Sequence, residues 1–476
     1  MRNLSLLTDL YELTMIYGYY KCGMHRKEAV FDLFFRGTEE LSYAVVCGLE
    51  QAVEYVQGIH FDEADIDYLR SLNLFDEGFL EELAAFRFSG DIYAMPEGTI
   101  VYPYEPILTV KAPIFEAQLM ETTLLTIINH QTLIATKASK IVGAAQGAAV
   151  MEFGLRRAQG PDAGIYGARA AMIAGCIGTS NVLAGQMFDV PVSGTHAHSW
   201  VMSFDSELAA FRAYAHLFPD ACLLLVDTYD VLSSGIPNAI TVFKELAAAG
   251  HKPLGIRIDS GDIAYLSKVA RKMLDEAGFP DAKICASGDI DEYVLLSLNA
   301  QGARIDSYGI GTKLITSFTM PALGGVYKMA AIEKDDVLEP KIKISNTMEK
   351  ITNPGLKKVV RFYDNETGKA IADLIMLKDE AIPDGSPYTI FDPTETWKQK
   401  TVVNYHVKEL MVDVFKGGEL VYNLPTLKEI TAYHRACLDN MWEQYKRITK
   451  PHIYKVDLSQ QLYDLKMTLL KRAEKE

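Results

Sequence analysis

Between about residue 130 and residue 325 the chain alternates short apolar runs with longer amphipathic stretches, and that beat restricts it to a parallel α/β architecture. Strands are expected at Val150–Phe153, Thr179–Leu183, Pro191–Ser193, Leu223–Asp227, Leu254–Ile258, Lys283–Ala286 and Arg304–Tyr308. Helical periodicity fills most of the intervals, as at Asn238–Ala249 and Ile263–Glu276. The last four strands begin about 20–30 residues apart, the span of a βα unit. About seven or eight such units in a row favour an irregular, TIM-like β/α barrel over an open sheet.

The flanking segments have a different texture. Asp9–Tyr20 carries apolar residues at helical spacing, Ala29–Phe35 reads as a strand, and Asp62–Phe86 is acidic and helix-favouring. Gly90–Ala112, punctuated by Gly and Pro, reads as a small antiparallel sheet. The expected organisation is therefore an N-terminal α/β sheet domain (1–130), a β/α barrel catalytic domain (131–330) and a C-terminal extension (331–476). In that extension, turns at Asp364–Gly368 and Asp384-Gly385 join strands that partly rejoin the N-terminal domain. Amphipathic helix is expected from Lys428 to Glu476.

Composition limits the partners. The 476 residues are 49% hydrophobic and 23% charged, the profile of a globular chain too long for one core. With 62 acidic against 47 basic residues, the net charge of -15 argues against nucleic acid as the main partner. It leaves room for small phosphate ligands, which a local arginine cluster and backbone amides can hold. The six cysteines are scattered without a CxxC pair and read as buried free thiols rather than a disulfide or zinc framework. Met1-Arg2-Asn3-Leu4-Ser5 opens no signal-peptide apolar region, and no apolar run reaches about 18 residues, so a cytoplasmic protein without membrane contact is expected.

In a β/α barrel the chemistry lies where the strands end. Six of the expected strands end in polar or glycine-bearing loops: Gly154-Leu155-Arg156-Arg157, Gly194-Thr195-His196-Ala197-His198-Ser199, Thr228-Tyr229-Asp230, Asp259-Ser260-Gly261-Asp262, Ser287-Gly288-Asp289 and Gly309-Ile310-Gly311-Thr312. Arg156, Arg157 and Arg169 are candidate bidentate donors to phosphate or carboxylate, or else surface ion-pair partners. Gly309–Thr312 can offer backbone amides and the Thr312 hydroxyl to a phosphate. Asp227 and Asp259 are read as substrate or metal contacts, Asp262 and Asp289 as helix caps. His196 and His198 alternate in sequence with no third ligand of metal-site type nearby, which leaves no metal ligand assigned. One of them could instead serve as a phosphoryl acceptor.

Read in order, these segments resemble the nicotinate phosphoribosyltransferase family. The resemblance is carried by Thr8-Asp9-Leu10-Tyr11, by Glu152 through Asp162, by Gly194–Ser199, by Gly255–Asp262, by Gly309–Thr312 and by Leu323-Gly324-Gly325-Val326-Tyr327-Lys328. It covers roughly residues 5–330 well and the remainder loosely. It implies transfer of phosphoribosyl from phosphoribosyl pyrophosphate to nicotinate in NAD salvage, with ATP as co-substrate and Mg2+ as cofactor. It also implies a head-to-tail homodimer with shared active sites. The position of His198 is the one that ATP phosphorylates. The resemblance further implies that Thr195 and Arg257 hold nicotinate, with Tyr11 entering from the partner chain and Phe153 stacking on the pyridine. It implies that Arg156, Gly311 and Thr312 hold phosphates, and Asp259 the ribose hydroxyls. An aspartate that accepts from an amide in nicotinamide-preferring relatives is Ser180 here, which favours the acid substrate. Two departures stand out: Glu12 replaces the more usual glutamine, and His196 occupies a variable position. Two rivals are quinolinate phosphoribosyltransferase, which lacks the phosphorylatable histidine motif of Gly194–Ser199, and a non-catalytic barrel, which need not keep a polar rim.

Overall fold

The structure, a computed structural model, describes residues 3–37, 41–347, 350–383 and 385–473. The chain divides into two compact units, one of Met1–Leu133 with Ala322–Glu476 and one of Ile134–Pro321. No helix among the described residues is long and apolar enough to cross a membrane.

The Ile134–Pro321 unit is built on six parallel strands, Ala149–Glu152, Gly178–Thr179, Leu223–Leu225, Gly255–Ile258, Lys283–Gly288 and Ser307–Ile310. The last of these pairs with the first, Ile310 opposite Glu152, so neighbours in the chain are neighbours in the sheet and the order is that of a barrel. Thr179 adds a parallel bridge to Val192. Among the described residues no backbone pairing joins the Val192 segment to Leu223–Leu225, which leaves one seam. A side chain fills it: His196 Nε2 accepts the Leu225 backbone N–H at 3.3 Å.

Strand side chains alternate between the two faces of the sheet. Leu224, Val226, Ile256, Ile258 and Ile284 pack outward on Phe211, Val242, Phe243, Leu246 and Leu274 of the surrounding helices. The odd-numbered residues Leu225, Arg257, Asp259 and Ser287 are thereby set on the inner face. Helix Ile263–Glu276 starts where Asp262 accepts the Tyr265 N–H at 3.0 Å, as its capping role requires. Two expectations need correction. Val182 and Leu183 begin a helix, Val182–Phe188, because Asn181 accepts the Ala184 N–H at 3.1 Å and turns the chain out of the strand. Asp289 is no cap; Asp291 holds the amides of Tyr293 and Val294 at the start of helix Glu292–Ala300.

The other unit centres on strand Glu28–Phe35, flanked antiparallel by Gly325–Lys334 and Leu108–Pro113 in a seven-stranded sheet. Val412–Lys416 extends this sheet beside Asp91–Ala94, so late residues do rejoin the N-terminal sheet. A second sheet orders Tyr405–Glu409, Lys357–Asp364, Ala370–Leu377 and Val456–Leu458, with Asp364–Gly368 turning between its central strands. The tail is not one helix: Leu427–Asp439, Glu443–Lys446 and Gln460–Ala473 are separated by loop and by strand Val456–Leu458. Pro451 has no N–H to continue a helix and disfavours helical geometry at the residue before it. Asp384 of the expected second turn, and residues 474–476, lie outside the described residues.

On the Leu10–Lys21 helix of this unit, Tyr11 is exposed and Glu12 fully buried. Glu12 accepts the Thr122 N–H at 2.9 Å, the Thr122 hydroxyl at 2.6 Å and the Thr8 hydroxyl. Burial outweighs these bonds and pushes its carboxyl up to about 7. A glutamine carbonyl could accept from Thr122 in the same way, but its NH2 would meet Thr8 as a donor where Glu12 accepts.

Candidate active site

Two adjoining cavities open at the C-terminal ends of the parallel strands, one of about 490 Å³ and one of about 280 Å³. Both are lined by Phe153, Arg156, Arg257 and Asp259. The larger adds Ser180, Thr195 and His198. The smaller adds Arg157, Ser287, Asp289, Gly311 and Thr312. Eight of the nine site residues expected from sequence thus line one continuous basin. Tyr11, the ninth, belongs to the other unit and lines neither cavity. Arg169 does not face the basin: it is buried, with its guanidinium 5.8 Å from the Phe188 ring centroid.

Arg257 is held as a fork before any ligand arrives. Its Nε donates to Ser287 Oγ at 2.7 Å, one terminal nitrogen to Asp259 Oδ1 at 2.9 Å, and the other to Thr195 Oγ1 at 3.3 Å. Ser287 also donates to Asp259 Oδ1, closing a three-membered network. Burial pushes the Asp259 carboxyl up, but the bonds from Ser287 and Arg257 outweigh it and hold the group below the usual carboxylate value. A fixed guanidinium in a concave site loses little entropy when it pairs with a carboxylate or phosphate. Asp227 supports this arrangement from behind, its Oδ2 accepting the Asp259 N–H at 3.0 Å and the Ser260 hydroxyl at 2.6 Å. It lines neither cavity, so the expected substrate or metal contact at Asp227 gives way to a supporting one.

The two histidines have separate surroundings. His198 opens the short helix His198–Met202, with Nδ1 3.1 Å from Thr228 Oγ1, which leaves Nε2 as the nitrogen available to a phosphoryl group. His196 packs edge-on against Tyr214, and burial pushes its imidazole down to about 4. It is therefore neutral near pH 7, as the bond from Leu225 N–H to its Nε2 requires. Among the described residues no group of three His, Cys, Asp or Glu side chains could hold a metal ion.

The Phe153 ring lies over Gly309. A Cβ on Gly309 would stand 2.4 Å from Phe153 Cδ2 and 2.5 Å from Cε2, so glycine is what seats the ring, with the Arg257 guanidinium 5.8 Å from its centroid. Gly309→Ala should displace the ring at a cost of about 1–3 kcal/mol. We expect kcat/KM for any substrate that stacks on this ring to fall about tenfold or more while far-UV circular dichroism is unchanged; steady-state kinetics checks this. Sequence reasoning named Gly309 only as a phosphate-loop residue and gave Ser287 no role of its own. Their contacts are with residues more than twenty positions away, which spacing does not display.

A parallel β/α sheet whose strand ends gather guanidinium groups, backbone amides and a histidine defines an enzyme class that acts on a small anionic, phosphorylated substrate. Three family models match the chain: the nicotinate phosphoribosyltransferase N-terminal domain over residues 6–129, the nicotinate phosphoribosyltransferase family over 148–371, and its C-terminal domain over 356–466. Nicotinate phosphoribosyltransferase of Bacillus subtilis is 49% identical over 466 residues, covering 98% of this chain and 95% of the relative. The human protein of that name is 33% identical over 97% of this chain and 95% of its own length. The crystal structure of human nicotinic acid phosphoribosyltransferase superposes with a TM-score of 0.85 at 31% identity, over 98% of this chain and 100% of that one. This chain belongs to the nicotinate phosphoribosyltransferase family.

Proposed function

We propose that the protein transfers the phosphoribosyl group of phosphoribosyl pyrophosphate to the ring nitrogen of nicotinate, and that ATP drives the cycle through a phosphoryl group on His198. The carrying observation is the single basin that gathers Arg257, Thr195, Phe153 and His198 beside Arg156, Gly311 and Thr312. In the larger cavity, Arg257 and Thr195 suit the nicotinate carboxylate and Phe153 the pyridine face. In the smaller one, Arg156, Arg157 and the amides around Gly311 suit the phosphates. Asp259 suits the ribose hydroxyls, as a carboxylate that can accept from them.

In the transfer, the C–O bond from the anomeric carbon to pyrophosphate breaks and a bond to the pyridine nitrogen forms. The nitrogen supplies its own lone pair, so no protein base is needed. The protein's contribution is in-line placement and neutralisation of the leaving group. Asp259 and Asp289 face the smaller cavity together with the arginines, a donor set suited to an ion that arrives with its phosphates and keeps several waters. Magnesium, when bound, would offset charge on the departing pyrophosphate. A head-to-tail homodimer fits the exposed apolar side chains Leu7, Leu10, Tyr11 and Met15 at and before the first helix, Tyr11 then serving the partner's site.

Ser180 lines the larger cavity and brings no carboxylate to accept from an amide, which supports nicotinate over nicotinamide. Turnover of the two bases under identical conditions is the test. We expect nicotinate to be used at least about a hundredfold more efficiently, and a preference for nicotinamide would overturn the assignment.

A further inference from the structure

Glu152 ends the first strand of the parallel unit and is fully buried, lining neither cavity. Each of its three oxygens nevertheless holds a piece of the cavity wall. Oε1 accepts the N–H of Gly154, the residue after Phe153. Oε2 accepts the Thr179 hydroxyl at 2.6 Å, and Thr179 Oγ1 in turn accepts the Asn181 N–H at 3.0 Å. The carbonyl oxygen of Glu152 accepts the Ser180 N–H at 2.9 Å. One residue therefore ties the Phe153–Gly154 turn to the Thr179–Ser180–Asn181 turn. Phe153 and Ser180 stand on opposite sides of this tie, and both line the larger cavity.

A carboxylate is suited to this place because it only accepts, and both groups it meets donate. Burial raises the carboxyl's pKa, and the Thr179 and Gly154 bonds oppose that rise. Gly154 has no room for a side chain here: a Cβ would come within 2.5 Å of Ile315 Cβ and 2.9 Å of Glu152 Oε1. The wall is thus fixed by hydrogen bonds to one buried carboxyl group on one side and by close packing on the other.

We propose that Glu152, acting through Thr179, is a positioning residue that sets the distance between Phe153 and Ser180 and so governs recognition of the aromatic base. The inference rests on the transferase reading above. Thr179→Val keeps the shape of the side chain but removes the donor to Glu152 and the acceptor for Asn181 N–H. Glu152→Gln keeps an acceptor for Gly154 and reverses the polarity toward Thr179.

Losing one buried hydrogen bond is worth up to about tenfold in binding. The expected result for both variants is a KM for nicotinate raised about tenfold, a KM for phosphoribosyl pyrophosphate changed less than about twofold, and a reduced preference for nicotinate over nicotinamide. Thr179→Ser, which restores the hydroxyl, should recover the wild-type KM. A purely structural role would instead lower the melting temperature and the active fraction while leaving both KM values and the base preference untouched. That outcome overturns the proposal, as does a failure of Thr179→Ser to restore KM. Wild-type protein inactive with nicotinate would overturn the transferase reading first, and this one with it, before any variant is compared.

Discussion

Incubated with γ-labelled ATP, the protein should acquire an acid-labile phosphoryl group, and the His198→Ala variant should acquire none. The expectation comes from how the imidazole is mounted. Thr228 Oγ1 occupies the region of Nδ1 at 3.1 Å, so Nε2 remains free to attack the terminal phosphorus with its lone pair. In the proposed cycle ADP would then depart, and water would later release phosphate and regenerate the ring. Labelling should fall to background in the variant, and its turnover should be the same with and without ATP. Thr228→Val tests the mounting: it removes the contact at Nδ1 while leaving the ring, so phosphorylation should slow without vanishing. Full labelling of His198→Ala would place the phosphoryl group elsewhere and end the proposed coupling.

The second large effect is expected at Arg257. Arg257→Gln removes a guanidinium that is already oriented by Ser287, Asp259 and Thr195. It takes away the charge that suits the nicotinate carboxylate and also strands Asp259, whose ionised state Arg257 helps maintain. Removing one member of a desolvated, hydrogen-bonded charge pair costs about 2–5 kcal/mol. The KM for nicotinate should therefore rise by about thirtyfold to several thousandfold. Arg257→Lys should recover little, because an ammonium cannot reproduce the planar fork that reaches three partners. Steady-state kinetics with nicotinate varied at saturating phosphoribosyl pyrophosphate reads the effect directly, and an unchanged KM would remove Arg257 from the base site.

Much of this arrangement is legible in the chain because strands in a parallel sheet are almost wholly apolar until they end. The change from Leu-Gly-Ile-Arg-Ile to Asp-Ser-Gly-Asp announces both the rim and the start of the next helix, and helix Ile263–Glu276 has the bounds its periodicity indicates. Legibility fails where a local signal has two meanings. Thr179 through Leu183 has strand-like composition, yet Asn181 caps a helix within it, so capping chemistry overrides β-propensity. In Ser287-Gly288-Asp289-Ile290-Asp291, two aspartates compete for one cap. Gly288, with φ +116, turns the chain so that the first faces the cavity and the second takes the amides. The supports of the site are hidden for another reason. Glu152 to Thr179, Asp227 to Asp259 and Arg257 to Ser287 are contacts between neighbouring strands, and no spacing rule along a single strand reports them.

The seam beside Leu223–Leu225 has a mechanical consequence. Everywhere else around this sheet, adjacent strands are fastened by several backbone hydrogen bonds or by the bridge at Val192, and separating them would break a cooperative ladder. Among the described residues, the loop bearing His198 is latched to its neighbours by side chains alone: His196 to Leu225, His198 to Thr228 and Thr195 to Arg257. Such a latch can be released at the expense of about three side-chain hydrogen bonds, without breaking a backbone ladder. If the proposed phosphorylation of His198 occurs, a loop held in this way could yield to a triphosphate and later to water more readily than one fixed by a strand ladder.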